Sequence, residues 1–256
     1  MSGEMKRIDE GAQNKRVVAL VPEKGSFTGF LLAAMRFAGA LRGSLSVFLP
    51  REFFLERPQK EIFYKSFLER ESAGSKVPWE MAACERSWAG TLERLSPGED
   101  VLAVSTGNGF LSVEDFLLET RCPVLAIPEN FNREFRRVLY VSVSGRLNDQ
   151  ALGIAATLGK FRRCRLKVLT AGVSSSPSLR MAHARAEYFL NACKVKAECQ
   201  VSLGRVKEAI LKCCESEETD LLILGANETE EWKDHRFRSF AKALAGQIEC
   251  SVLIVK

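Results

Sequence analysis

Asp220–Lys256 reads DLLILGANETEEWKDHRFRSFAKALAGQIECSVLIVK. Leu221 to Leu224 is a short apolar run that ends at Gly225, and a polar loop follows. Ser239 opens an apolar-periodic segment, and Cys250 leads into a second run, Val252 to Val255. Short, continuously apolar runs on either side of a helical segment read as parallel strands covered on both faces. In a strand–loop–helix–strand unit, an anion sits best where the loop leaves the strand's C-terminal end and feeds the helix start.

The spacing of four residues carries a resemblance. Gly225, Glu228, Arg238 and Ser239 fall where a universal stress protein domain has glycine, glycine, glycine and a serine or threonine. Cys250-Ser-Val-Leu-Ile-Val255 falls on that family's closing Cys-Pro-Val-Leu strand. The frame is kept without a gap, and two of the three glycines are replaced.

The chain repeats itself. Arg16–Val21 and Arg137–Val143 both open an apolar strand after basic residues. Asp100-Val-Leu-Ala-Val104 parallels Asp220-Leu-Leu-Ile-Leu224, and Cys122–Ile127 parallels Cys250–Val255. We read a polar, disordered tail at 1–15, a first unit at 16–130 with its phosphate loop deleted, and a second unit at 136–256. Alternating strands and helices call for a mostly parallel sheet with right-handed crossovers. The resemblance implies two tandem Rossmann-like (adenine nucleotide alpha hydrolase-like) domains. Each has a five-stranded sheet with helices on both faces, and a pseudo-twofold axis relates them. It also implies pairing through the last strands, 123–127 and 251–255, as a pseudo-dimer within the chain; a homodimer is the further possibility.

Strands are expected at 138–143, 165–170, 197–203, 220–225 and 251–255, and helices near 148–162, 177–193, 205–217 and 239–248. The region 51–96 is less regular. Pro58 starts a helix with Ile62, Phe63 and Phe67 on one side, read as facing the core. The other reading of the aromatic cluster Phe53–Phe67 is a partner surface. Gly74-Ser75 breaks this helix, and a second helix is expected from Trp79 to Leu95. Lys76-Val-Pro78 makes a poor third strand because proline lacks the ladder donor.

Hydrophobic content of 46% and charged content of 27% over 256 residues fit a globular protein with a real core. The net charge of +5 comes without a dense Lys/Arg block, so no nucleic-acid partner is expected. No apolar run reaches the ~20 residues that cross a bilayer, so no membrane insertion is expected. The eight cysteines include no C-x-x-C pair, and only His183 and His235 could join them as ligands. We expect no metal, reduced thiols and a cytoplasmic protein. Cys213-Cys214 reads as one thiol facing in and one out. His183 reads as a solvated helix residue, and His235 as a loop residue able to touch a ligand.

In the family's nucleotide binders, backbone N–H groups at the glycines wrap the phosphates, and an aspartate at the end of the first strand holds the adenosine part. Here Gly225 and Ser239 are present, and Glu228 brings negative charge toward a polyphosphate. Arg238 places a side chain where bare backbone approaches, although a guanidinium can itself bind phosphate. Ser144-Gly145 stands where Asp-Gly is expected. In the first unit, residues 106–121 number 16 against 24 in 226–249, so the loop is shortened. Gly107-Asn-Gly109 remains and reads as a tight turn, and Glu23 only weakly matches the first-strand aspartate. A degenerate nucleotide site would therefore consist of Gly225, Arg238, Ser239, Ser144 and Gly145.

The sequence carries no G-x-S-x-G, H-E-x-x-H or G-K-[ST] motif. The expectation is a non-enzymatic universal stress-type protein that regulates through ligand or protein contacts. It has no cofactor, ATP being possible in the second domain only, and an unidentified protein partner. The alternatives are an ATP-binding regulator with weak hydrolysis and a cytoplasmic regulator of a membrane transporter.

Overall fold

The computed structural model describes residues 15–21, 27–51, 58–84, 88–106, 113–160, 164–225 and 235–256, with backbone alone at 113–114 and 235–238. Its contacts cluster into two units, Asn14–Glu134 and Phe135–Lys256.

The first unit runs β1 (Arg16–Leu20), α1 (Thr28–Ala40), β2 (Ser44–Leu49), α2 (Pro58–Ser75), β3 (Trp79–Ala83), α3 (Trp88–Leu92), β4 (Asp100–Ser105), α4 (Val113–Glu119) and β5 (Val124–Ile127). Its strand order is β3-β2-β1-β4-β5, with parallel neighbours throughout. The second unit runs β6 (Arg137–Val143), α5 (Asp149–Gly159), β7 (Arg165–Gly172), α6 (Pro177–Ala192), β8 (Ala197–Leu203), α7 (Val206–Ser216), β9 (Leu221–Gly225), α8 (His235–Ala245) and β10 (Ser251–Val255). Its order, β10-β9-β6-β7-β8, is again parallel. Strand β4, inside the first sheet, is buried at every position, the mark of a sheet covered on both faces.

Two expectations in the first unit fail. Trp79–Ala83 is a strand, not a helix, and pairs in parallel with β2 from Leu45–Trp79 to Leu49–Ala83. Pro78 sits just outside it and only accepts, taking the Leu45 N–H at 2.9 Å. The missing proline donor therefore costs nothing at this sheet edge. On α2, Tyr64 and Leu68 are buried, while Ile62 and Phe63 are 64% and 56% exposed. The core-facing stripe thus runs along the other side of the helix. Residues Phe53 and Phe54 lie outside the described residues.

Four helix ends carry no glycine where one is favoured. Arg42, Lys76, Lys194 and Glu218, just past α1, α2, α6 and α7, all have positive φ. At three of them the next amide closes back on the helix: Gly43 to Ala38, Val195 to Leu190 and Thr219 to Cys214, at 2.9–3.0 Å. These back-bonds satisfy the orphan carbonyls and hold the left-handed residue in place.

Each unit also has one buried aspartate at a strand start. Asp100, 1% exposed, accepts from Arg16 Nε and Nη2 at 2.8 Å each and from the Ser96 N–H at 2.7 Å. Asp220, 2% exposed, accepts from the Arg136 and Arg137 N–H groups at 3.1 and 2.9 Å. The repeat seen in the sequence is therefore also a repeated anchor, tying the start of β4 to β1 and of β9 to β6.

Candidate functional site

In the second unit the C-terminal ends of β6, β7 and β9 meet the starts of α5 and α6. At β6, Ser144 and Gly145 have φ of +55° and +76°, and the Arg146 N–H returns to the Val143 carbonyl at 3.1 Å. Positive φ at both central residues gives the tight reversal of a type I′ turn. The Ser142 hydroxyl donates to the Arg146 carbonyl at 2.7 Å and latches the turn. Ser144 is exposed, so the first strand ends without a buried or a charged side chain.

The glycines here face protein. A Cβ on Gly225 would lie 2.3 Å from Asn148 Cβ and 3.3 Å from Ala151 Cβ. One on Gly145 would lie 2.6 Å from the Leu179 N and the Ser178 carbonyl carbon, and one on Gly172 would lie 2.8 Å from Leu179 Cδ1. Gly225 therefore lets α5 approach β9, and Gly145 lets α6 approach β6. Close helix–strand approach explains both without any ligand.

The helix starts at this end are occupied as well. Asn148 caps α5 by accepting the Ala151 N–H at 2.8 Å, and Ser176 caps α6 by accepting the Leu179 N–H at 3.1 Å. Pro177 follows Ser176 at the first helical position, where its missing donor does no harm. These caps were legible as Asn-Asp and Ser-Pro ahead of apolar periodicity, and the motif-centred reading passed over them.

Helix α8 begins at His235, four residues ahead of expectation. His235 is thus a helix residue rather than a loop residue, and Ser239 lies one turn inside the helix rather than at its start. Among the expected site residues, Ser144, Gly145 and Gly225 end the neighbouring strands β6 and β9. The side chain of Arg238 and the whole of Glu228 and Lys233 lie outside the described residues, as do Glu23 and Gly107-Asn-Gly109. Ser105 ends β4 as Gly225 ends β9.

His183 is not a solvated residue. It is half-buried on α6, with Nδ1 3.4 Å from the Thr170 hydroxyl and Nε2 3.5 Å from Glu187. All eight cysteines are free; Cys214 is buried as expected, and Cys213 is half-buried rather than facing out. Burial pushes the Cys164 thiol up to about 11, and burial followed by the nearby Glu187 and Glu198 does the same at Cys199. The Cys250 side chain, then burial, pushes the Cys214 thiol up further. Thiols held protonated at neutral pH make poor nucleophiles. Among the described residues no His/Cys/Asp/Glu group could hold a metal, and no helix is long and apolar enough to cross a membrane.

A five-stranded parallel sheet with the order fifth, fourth, first, second, third, reversing direction beside its first strand, defines a Rossmann-like α/β class. Within that class, residues 134–256 match the universal stress protein family, and the C-terminal unit belongs to that family. No curated protein matches the chain. Among solved structures, the chain resembles a universal stress protein from Archaeoglobus fulgidus DSM 4304. The TM-score is 0.67 and the identity 16%, over 95% of this chain and 97% of that one. It also resembles a functionally unknown protein from Pseudomonas aeruginosa PAO1. There the TM-score is 0.61 and the identity 15%, over 96% of this chain and 93% of that one. At this identity the likeness speaks to the fold, and it extends over the stretch covered by the first unit.

Proposed function

We infer that the protein is a non-enzymatic regulator of the universal stress type that has given up the family's mode of nucleotide binding and acts through protein contacts. The observation that carries this is the packing at the end of the second sheet. Gly225 and Gly145, the glycines that remain of the motif, accommodate α5 and α6, so their presence is no sign of a phosphate. Asn148 and Ser176 engage N–H groups at the two helix starts. Ser144 stands in place of the strand-end carboxylate, and in the sequence Glu228 takes the place of a motif glycine, an acidic residue in a pattern that in binders serves an anion.

Titration of the full chain with ATP and Mg²⁺ is expected to give no saturable binding at micromolar nucleotide and no turnover above a buffer control. Micromolar binding lost in Ser239→Ala would reverse the reading in favour of a nucleotide sensor.

The exposed Ile62 and Phe63 on α2 support the protein-contact half of the proposal, since adjacent large apolar side chains in water mark interfaces. The Ile62→Glu/Phe63→Glu double variant is expected to keep its melting temperature while losing partner capture in cross-linking. Unchanged cross-linking would remove α2 as the contact surface.

A further inference from the structure

Because the strands are parallel, the starts of β6, β7 and β8 share the sheet end opposite Ser144 and Gly225. A cleft of about 590 Å³ opens there, a common size for a small-molecule site. Arg137 lies opposite Arg165 in the register, and Lys196 continues the row one residue before the Leu166–Ala197 pair. Two residues further along, on the same face, Lys167 lies opposite Glu198.

The carboxylates on this lining are already engaged. Lys167 Nζ, on a side chain only 15% exposed, binds Glu198 and Glu217 at 3.0 Å each. Arg137 binds Glu218, and Asp220 lies 3.7 Å from its Nη2. Arg165 and Lys196 have no side-chain partner among the described residues, although both line the cleft. Like charges side by side on adjacent strands repel, and the lining holds four cations, Arg137, Arg165, Lys167 and Lys196, against the three carboxylates Glu198, Glu217 and Glu218, so a positive excess remains at Arg165 and Lys196. The far wall is the turn after α7, which adds Thr219. Its hydroxyl is buried with no hydrogen-bonding oxygen or nitrogen, and the Cys214 thiol is its polar neighbour.

The geometry points to a binding site for a small oxyanion, a carboxylate or phosphate compound, with Arg165 and Lys196 as its cationic contacts. Burial raises the pKa of the Cys164 thiol on the lining, so this thiol is not poised as a nucleophile. The assignment does not depend on whether nucleotide binds at the other end of the sheet.

The test is titration of the ¹⁵N-labelled full chain with inorganic phosphate and, separately, with citrate, which distinguishes the two anion types. Saturable shifts are expected at the amides of 165–167, 196–198 and 216–219 with at least one probe. Arg165→Glu/Lys196→Glu should weaken that binding by about tenfold or more, with melting temperature kept because both side chains are exposed. If the charge reversal unfolds the unit, Arg165→Gln/Lys196→Gln serves in its place. No shift there at millimolar probe, or shifts that survive either double variant, would overturn the assignment.

Discussion

Gly225→Ala is expected to destabilise the C-terminal unit by about 3 kcal/mol, and Gly43→Ala the first unit by at least as much. The added methyl at Gly225 would sit 2.3 Å from Asn148 Cβ, so β9 and the start of α5 must separate. That movement also strains the Asn148 cap, whose loss alone is worth about 1 kcal/mol. At Gly43 the overlap is with backbone, 1.8 Å from the Lys15 carbonyl oxygen, and no side-chain rotation relieves it. Gly90→Ala on α3 is the control: its Cβ meets nothing within 4 Å, and helix propensity favours alanine by up to about 1 kcal/mol. Urea unfolding with hydrogen exchange resolved by unit measures all three. The Gly225 result also bears on function. A large loss in nucleotide-free protein makes this glycine a packing residue. A neutral result would leave phosphate approach as the reason for it and weaken the proposed function.

The second large effect is expected at the repeated aspartates. Asp100→Ala and Asp220→Ala should each cost about 2–4 kcal/mol, because each removes a buried carboxylate that accepts several hydrogen bonds from a neighbouring strand or turn. In Asp100→Ala the Ser96 N–H loses its 2.7 Å acceptor, and Arg16, 41% exposed, turns to solvent. In Asp220→Ala two consecutive N–H groups, Arg136 and Arg137, lose their bonds to the carboxylate at 3.1 and 2.9 Å. Exchange should accelerate in β1 and β4 for the first variant, and in β6 and β9 for the second. Unchanged urea midpoints would mean that water replaces the carboxylates and that the anchors are incidental.

The second unit was largely legible in the sequence. β9 and β10 are continuous apolar runs, and β8, AECQVSL, alternates apolar and polar residues. The strands at 197–203 and 251–255 fall on the expected residues, and α6 and α7 end within one residue of expectation. The first unit was less so between 51 and 96. There β3 is an edge strand with mixed exposure, and neither alternation nor a continuous run marks it. Its identity comes from pairing with β2, a contact between residues some thirty apart. The helix ends at Arg42, Lys76, Lys194 and Glu218 were also hidden, because tertiary closure holds left-handed conformations that propensity assigns to glycine.

For the candidate site, the sequence by itself determined the family frame, the places where glycine gave way to Glu228 and Arg238, and the absence of a strand-end aspartate. These are matters of residue type and spacing, which the chain carries in one dimension. Only the tertiary structure decided why the remaining glycines are there, which face of α2 meets water, and that Arg137, Arg165 and Lys196 form one row. Each depends on which atoms come within a few ångströms across separate strands and helices, and packing, not local preference, sets those distances.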